Sequence, residues 1–257
     1  MRLFKIWLTL LKYMYLKLIL FTITLHFVLV TNAEAQEFSF KERKLTIESH
    51  GWKLVGELCI PNDVNEPPAV IMLNKAAGNR TVYKVLAIQL AKRGIASLRL
   101  DLRGHGESIN LGRFVPGEVP KSPMIWEADE DVVAAHNYLK TYKGINKNRI
   151  GMVGGSYSGE EMAEAGRLNG YAQAYVELSP GSFSDESINS MDTSGVPWLF
   201  IASNNERHLK EITAEVQLKS KATEMLILPG KAHATNMLKE RPELAEQIAV
   251  WLAYHLK

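Results

Sequence analysis

A chain of 257 residues that is 46% hydrophobic and 23% charged holds enough apolar material for one sizeable packed domain, which excludes a disordered or low-complexity protein. Its formal charge of +2 comes from the amino-terminal segment, where Arg2, Lys5, Lys12 and Lys17 face Glu34 alone; the rest is near neutral and offers no basic field for nucleic acid. Cys59 is the single cysteine, which excludes an internal disulfide and a cysteine-based metal site and reads as a small buried hydrophobe.

Leu18 to Val30 is an apolar run interrupted by two threonines and a histidine, preceded by Lys12 and Lys17 and followed by Ala33-Glu34-Ala35. A basic region, a core too short to span a bilayer comfortably and an A-x-A cleavage site describe a signal peptide over residues 1–35. Met14 opens a more compact version of the same signal. The expected mature domain is 36–257, exported to a periplasm or secreted, with no stable membrane insertion after processing; the alternative is an uncleaved amino-terminal anchor. Oligomeric state stays open.

Two strands come next, Phe38–Ile47 and Trp52–Ile60, with His50-Gly51 as the turn of an antiparallel pair. Ala69–Leu73 is a continuous apolar run, as expected of a strand buried on both faces, and helical periodicity follows over Val82–Lys92. Ile95–Leu100 is a strand, Glu127–Thr141 a helix, Ile150–Val153 a strand and Glu160–Leu168 a helix. Tyr171–Leu178, Pro197–Ala202 and Met225–Leu228 add three strands, and Pro242–His255 closes the chain as an amphipathic helix. Strands alternating with helices of this length predict an α/β fold with a mostly parallel eight-stranded sheet covered on both faces.

Ser156 lies in Gly154-Gly155-Ser156-Tyr157-Ser158-Gly159, between a strand and a helix. A side chain at so sharp a turn is forced out of the backbone's path, and small neighbours are needed because strand and helix pass close together. This is the nucleophile elbow G-x-S-x-G, with Ser158 where its last glycine stands. In a parallel sheet ligands sit at the carboxyl ends of the strands. Those ends here are Asn74 to Arg80, Asp101 to Ser108, Ser156, Ser203 to Arg207 and Pro229 to Ala234. A serine, an acid and a histidine therefore arrive in that order at successive strand ends.

With the elbow, this order and the run Asp101-Leu-Arg-Gly-His-Gly-Glu-Ser108, the chain resembles the α/β-hydrolase superfamily over essentially all of its mature length. It is most similar to the small lidless members grouped with dienelactone hydrolases and serine esterases or peptidases, although dienelactone hydrolases proper carry Cys where Ser156 stands. The resemblance implies Ser156 as nucleophile and His233, in the loop after the last strand, as its base. Glu206 falls where relatives carry Asp and is expected to orient His233; the alternatives are Asp185 or Asp192, or no acid. An oxyanion hole is implied at the backbone N–H groups of Tyr157 and Ala76, with Ala77 as the other candidate, because the usual His-Gly of that loop is Asn74-Lys75 here. Asp101, Arg103 and His105 form a structural turn in the superfamily, and the acidic cluster at Glu127, Asp129, Glu130 and Asp131 suits the first turns of a helix. No metal-ligand spacing and no dinucleotide-binding glycine loop is present, so no metal and no cofactor is expected.

The segment from Pro180 to Val196 is too short for a helical cap, which implies an open site. Phe114 and Trp126 are candidates for an acyl or aromatic subsite, and Lys75 for an anionic group on the substrate. The expectation is an exported serine hydrolase of an ester, thioester or peptide-like bond, with acyl transfer as a variant. The alternative is an α/β-hydrolase-fold binding protein whose activity is lost, as its departures at Ser158, Glu206 and the Asn74-Lys75 loop would suggest.

Overall fold

The computed structural model describes residues 39–117, 122–206, 210–211, 214, 216 and 223–257. The segment 1–35, expected to be a signal peptide, lies outside the described residues. The described residues fall in one compact unit, Ser39–Lys257. No helix among the described residues is long and apolar enough to cross a membrane.

Strands β1 (Phe40–Ser49) and β2 (Trp52–Pro61) form an antiparallel hairpin, and β2 runs antiparallel to β4 (Ala96–Leu100). From there every pairing is parallel, through β3 (Ala69–Leu73), β5 (Ile150–Gly155), β6 (Ala174–Leu178), β7 (Trp198–Ser203) and β8 (Thr223–Leu228). The order is β1-β2-β4-β3-β5-β6-β7-β8, an eight-stranded mixed sheet whose site-bearing half is parallel. Every residue of β3, β4, β5, β6 and β7 is buried, which is why these runs do not alternate: both faces are covered.

The α-helices whose bounds are described are, in chain order, α1 (Lys84–Ala91), α2 (Pro123–Trp126), α3 (Asp129–Thr141), α4 (Ser158–Asn169), α5 (Asp185–Ser194), α6 (Asn236–Glu240) and α7 (Glu243–His255). One core packs Val132 and Leu139 of α3 and Met162 of α4 against Ile71, Leu98 and Met152. The other packs Leu86 and Leu90 of α1 and Ile248 and Leu252 of α7 against Val70, Met72 and Val176. Two details differ from the sequence reading. Tyr171 lies outside β6, its hydroxyl bonded to Ser190 at 2.8 Å, and the segment 180–196 contains α5, capped by Ser184 and still far short of a cap domain. Its sequence, DESINSMDTS, is poor in strong helix formers, so tertiary contact with α4 supports it where propensity does not.

The Asp101–Ser108 turn is a buried brace. Asp101 accepts from the backbone N–H and the guanidinium of Arg80 and from the Glu107 N–H, which ties the loop after β3 to the loop after β4. Gly106 is demanded there, since a Cβ would fall onto the Asp101 carboxylate. Arg103 is buried against Asp131 of α3 and also reaches Glu127 and Glu130. Three members of the acidic cluster thus compensate a buried guanidinium, and two of them, Glu130 and Asp131, also lie in the first turn of α3.

Candidate active site

β5 delivers Ser156 into a left-handed conformation, φ 63°, with its side chain partly exposed and its N–H donating to Leu178 O of β6 at 3.0 Å. A non-glycine residue there costs of order 1–2 kcal/mol and persists only where the surroundings enforce it. Six described non-glycine residues have positive φ, and four of them, Ala77, Ser156, Ser179 and Ala234, sit at the ends of β3, β5, β6 and β8. Strain is thus concentrated at one end of the sheet.

Ser158, the departure from the elbow pattern, is buried; its Oγ accepts the Gly155 N–H at 2.7 Å and donates to the Gly155 carbonyl at 3.1 Å. The hydroxyl that replaces a glycine therefore pins the turn. Beneath it lies a group the sequence reading missed, Glu177 of β6. A Cβ on Gly154 would come within 2.5 Å of its Oε2, and one on Gly159 within 2.8 Å of its Cδ, so both elbow glycines leave room for this side chain. Both Glu177 oxygens are buried without a partner among the described residues. Burial holds its carboxyl well above the usual range; the Ser156 N–H, which pulls the other way, is already bonded to Leu178 O. A lone charged residue in the apolar strand AYVEL is the signal that could have revealed it.

Glu206 and His233 meet. His233 Nδ1 lies 2.8 Å from Glu206 Oε1, and because a carboxylate accepts, Nδ1 must carry the proton, which leaves Nε2 as the acceptor. The His233 side chain is 41% exposed and that of Glu206 only 8%. Glu206 is held from behind by the Ser203 N–H at 2.9 Å and the Ser179 hydroxyl at 2.9 and 3.1 Å. Asp185 and Asp192, the other acids considered, lie exposed on α5. The His233 loop reaches the elbow: a Cβ on Gly155 would stand 3.2 Å from Ala234 Cβ.

After β3, Lys75 O accepts the Gly78 N–H at 2.9 Å, closing a turn that passes through Ala76 and Ala77. Asn74, where the resemblance implied a histidine, is buried, and its Oδ1 takes the Leu102 N–H at 2.9 Å. Neither the Ala76 nor the Tyr157 N–H has a hydrogen-bond partner among the described residues, and Tyr157 stands at the start of α4, where such donors are left over. Of the three side chains considered for substrate, Phe114 is buried with its ring stacked on His105 at 4.8 Å, Trp126 is 60% exposed, and Lys75 folds its ammonium back to 3.4 Å from Ala76 O. A groove of about 700 Å³ opens beside α7, lined by Glu224, Glu246, Trp251 and Tyr254, but it includes none of these residues.

No family model matches the chain. Over 201 residues it is 25% identical to a probable 2-oxo-3-(5-oxofuran-2-ylidene)propanoate lactonase from a Bradyrhizobium species, an alignment that covers 73% of this chain and 81% of the relative. Among solved structures it is similar to a dienelactone hydrolase from Anabaena variabilis, with TM-score 0.66, 19% identity and coverage of 85% of this chain and 99% of that one. An esterase from Pyrococcus furiosus matches with TM-score 0.66, 17% identity and coverage of 85% and 94%. The chain has the α/β-hydrolase fold.

Proposed function

We propose that this protein is a serine hydrolase of small carboxylic esters, lactones included. The observation that carries the reading is the Glu206–His233 pair, 2.8 Å apart, at the same end of the sheet as the strained Ser156. In this reading His233 Nε2 takes the proton of Ser156 as Oγ attacks the acyl carbonyl. Glu206 balances the charge of the imidazolium, and the Ala76 and Tyr157 N–H groups hold the oxyanion. The tetrahedral adduct expels the alcohol, which takes the proton from His233; in a lactone it stays tethered to the acyl group. Water activated by His233 then releases the acid.

The features that would favour a binding protein without activity each have a counterweight: Ser158 pins the elbow, Glu206 reaches the histidine that an aspartate would reach, and Asn74 anchors the altered loop. The lactonase among the relatives acts, by its name, on a lactone ring with a propanoate side chain, and Lys75 is a cation beside the proposed oxyanion hole. A neutral or anionic lactone is therefore the first substrate class to try. The test is labelling by a fluorophosphonate probe, followed by a panel of short-chain esters and of neutral and anionic small lactones. Labelling that disappears in Ser156→Ala supports the reading; a native protein that is neither labelled nor active on the panel sinks it.

A further inference from the structure

The end of β6 bonds to Ser156, to β7 and to the loop after β8, the three places that carry the proposed catalytic residues. Leu178 O receives the N–H of Ser156 from β5. The next residue, Ser179, is fully buried and donates its own N–H to Ile201 O of β7 at 2.7 Å. Its hydroxyl proton faces both oxygens of Glu206, at 2.9 and 3.1 Å, while its oxygen accepts the N–H of Ala234, one residue beyond His233, at 2.7 Å. One hydroxyl thus bonds to the acid and to the loop that carries the base.

Glutamate has one more rotatable bond than the aspartate usual at this position, so its carboxylate has more freedom to lose before it can face an imidazole. Two groups remove that freedom: the Ser203 N–H grips Oε2, and the Ser179 hydroxyl spans both oxygens. The His233 loop is gripped on its other side as well, by the Ser203 hydroxyl on Ala232 O at 2.6 Å. Ser179 differs from Ser203 in that its hydroxyl serves acid and loop together, whereas the Ser203 hydroxyl serves the loop alone.

We infer that Ser179 is a positioning residue of this site, which lets a glutamate do the work of an aspartate by fixing its carboxylate against His233. The inference rests on the serine-hydrolase reading above and deepens it.

The test uses Ser179→Gly and Ser179→Ala on an ester or lactone that the enzyme turns over. With φ 55° at Ser179, glycine removes the hydroxyl without backbone strain, so the glycine variant guards against a folding failure of the alanine one. A hydrogen bond to a charged group supports a loss in kcat of about tenfold to a hundredfold, with KM changed by less than about twofold. On a Glu206→Gln background the same change should cost less than about threefold, because a residue that acts through the carboxylate has little left to position. Ser203→Ala frees the loop but leaves the donor on the carboxylate, and should cost less than Ser179→Gly. Wild-type kcat in Ser179→Gly, an equal loss on both backgrounds, or an equal loss in Ser203→Ala would overturn the inference. A Ser156→Ala protein that kept turnover would sink the hydrolase reading itself, a distinct outcome.

Discussion

Two sets of serine, histidine and acid stand at the carboxyl ends of this sheet, and only their surroundings separate them. Asp101, His105 and Ser108 are all buried and bonded. Asp101 is held by Arg80 and the Glu107 N–H, and His105 Nδ1 lies 2.8 Å from the Arg103 carbonyl. The Ser108 hydroxyl donates to Asp101 O and accepts the Val55 N–H. Burial pushes the His105 pKa below its ordinary value, and its ring stacks with Phe114 and Tyr157. In the other set Ser156 is partly exposed on a strained backbone, and His233 is half open to solvent with its Nδ1 on Glu206. The same residue types brace a loop where they are buried, and offer chemistry where the serine and the histidine side chain are partly exposed.

The comparison can be broken first at the exposed set. Ser156→Ala and His233→Ala are each expected to lower kcat by about 10⁴-fold or more, and the double variant should be little worse than either, because residues that act as a unit are strongly non-additive. Unfolding free energy should move by less than about 1 kcal/mol, since neither side chain is buried. Multiplicative losses in the double variant would count against a single nucleophile–base unit.

The buried set should respond in the opposite way. Asp101→Asn keeps the shape but withdraws the negative charge beside the buried Arg80 guanidinium, so denaturant unfolding should show a loss of about 3 kcal/mol. The kcat per folded molecule should stay within severalfold. A collapse of kcat with unchanged stability would move Asp101 from the scaffold to the chemistry.

A third acid sharpens the comparison because it belongs to neither set. Glu161 of α4 is buried with an Asp129 N–H on its Oε2 at 2.9 Å, and desolvation, aided by the nearby Asp129 charge, pushes its pKa up to about 9. The folded state then keeps a proton that the unfolded chain releases near its ordinary value of 4.5, so it binds more protons across that window. Stability should fall as pH rises, by about 1.4 kcal/mol per unit between those limits. Glu161→Gln retains the acceptor and removes the slope, so its advantage over wild type in unfolding free energy should grow from pH 5 to pH 8. A difference that stays constant with pH would refute the burial argument.

Much of this was legible because the physics is local. The unbroken apolar run of β3 announces a strand buried on both faces, and Gly154-Gly155-Ser156 announces a turn that needs small neighbours. The place of Glu206 just after β7 was readable from strand spacing, though its distance to His233 was not. Ser179 gave little warning: a serine before a proline at a strand end looks like any loop residue. Its importance comes from Glu206 and Ala234, 27 and 55 positions further along the chain. The reach of Glu127, Glu130 and Asp131 to Arg103 was hidden for the same reason, since helix capping alone accounts for acids in a first turn.

The sequence by itself determined the alternation of strands and helices, the elbow and the order of serine, acid and histidine, because periodicity, turn chemistry and chain order are properties of neighbouring residues. Only the tertiary structure decided which acid faces His233, that Ser158 can replace a glycine, that Glu177 lies beneath the elbow, and that one hydroxyl just after β6 joins the loop after β7 to the loop after β8. Those are contacts between strand ends far apart in sequence, and they exist only once the sheet order β5-β6-β7-β8 has brought the ends together.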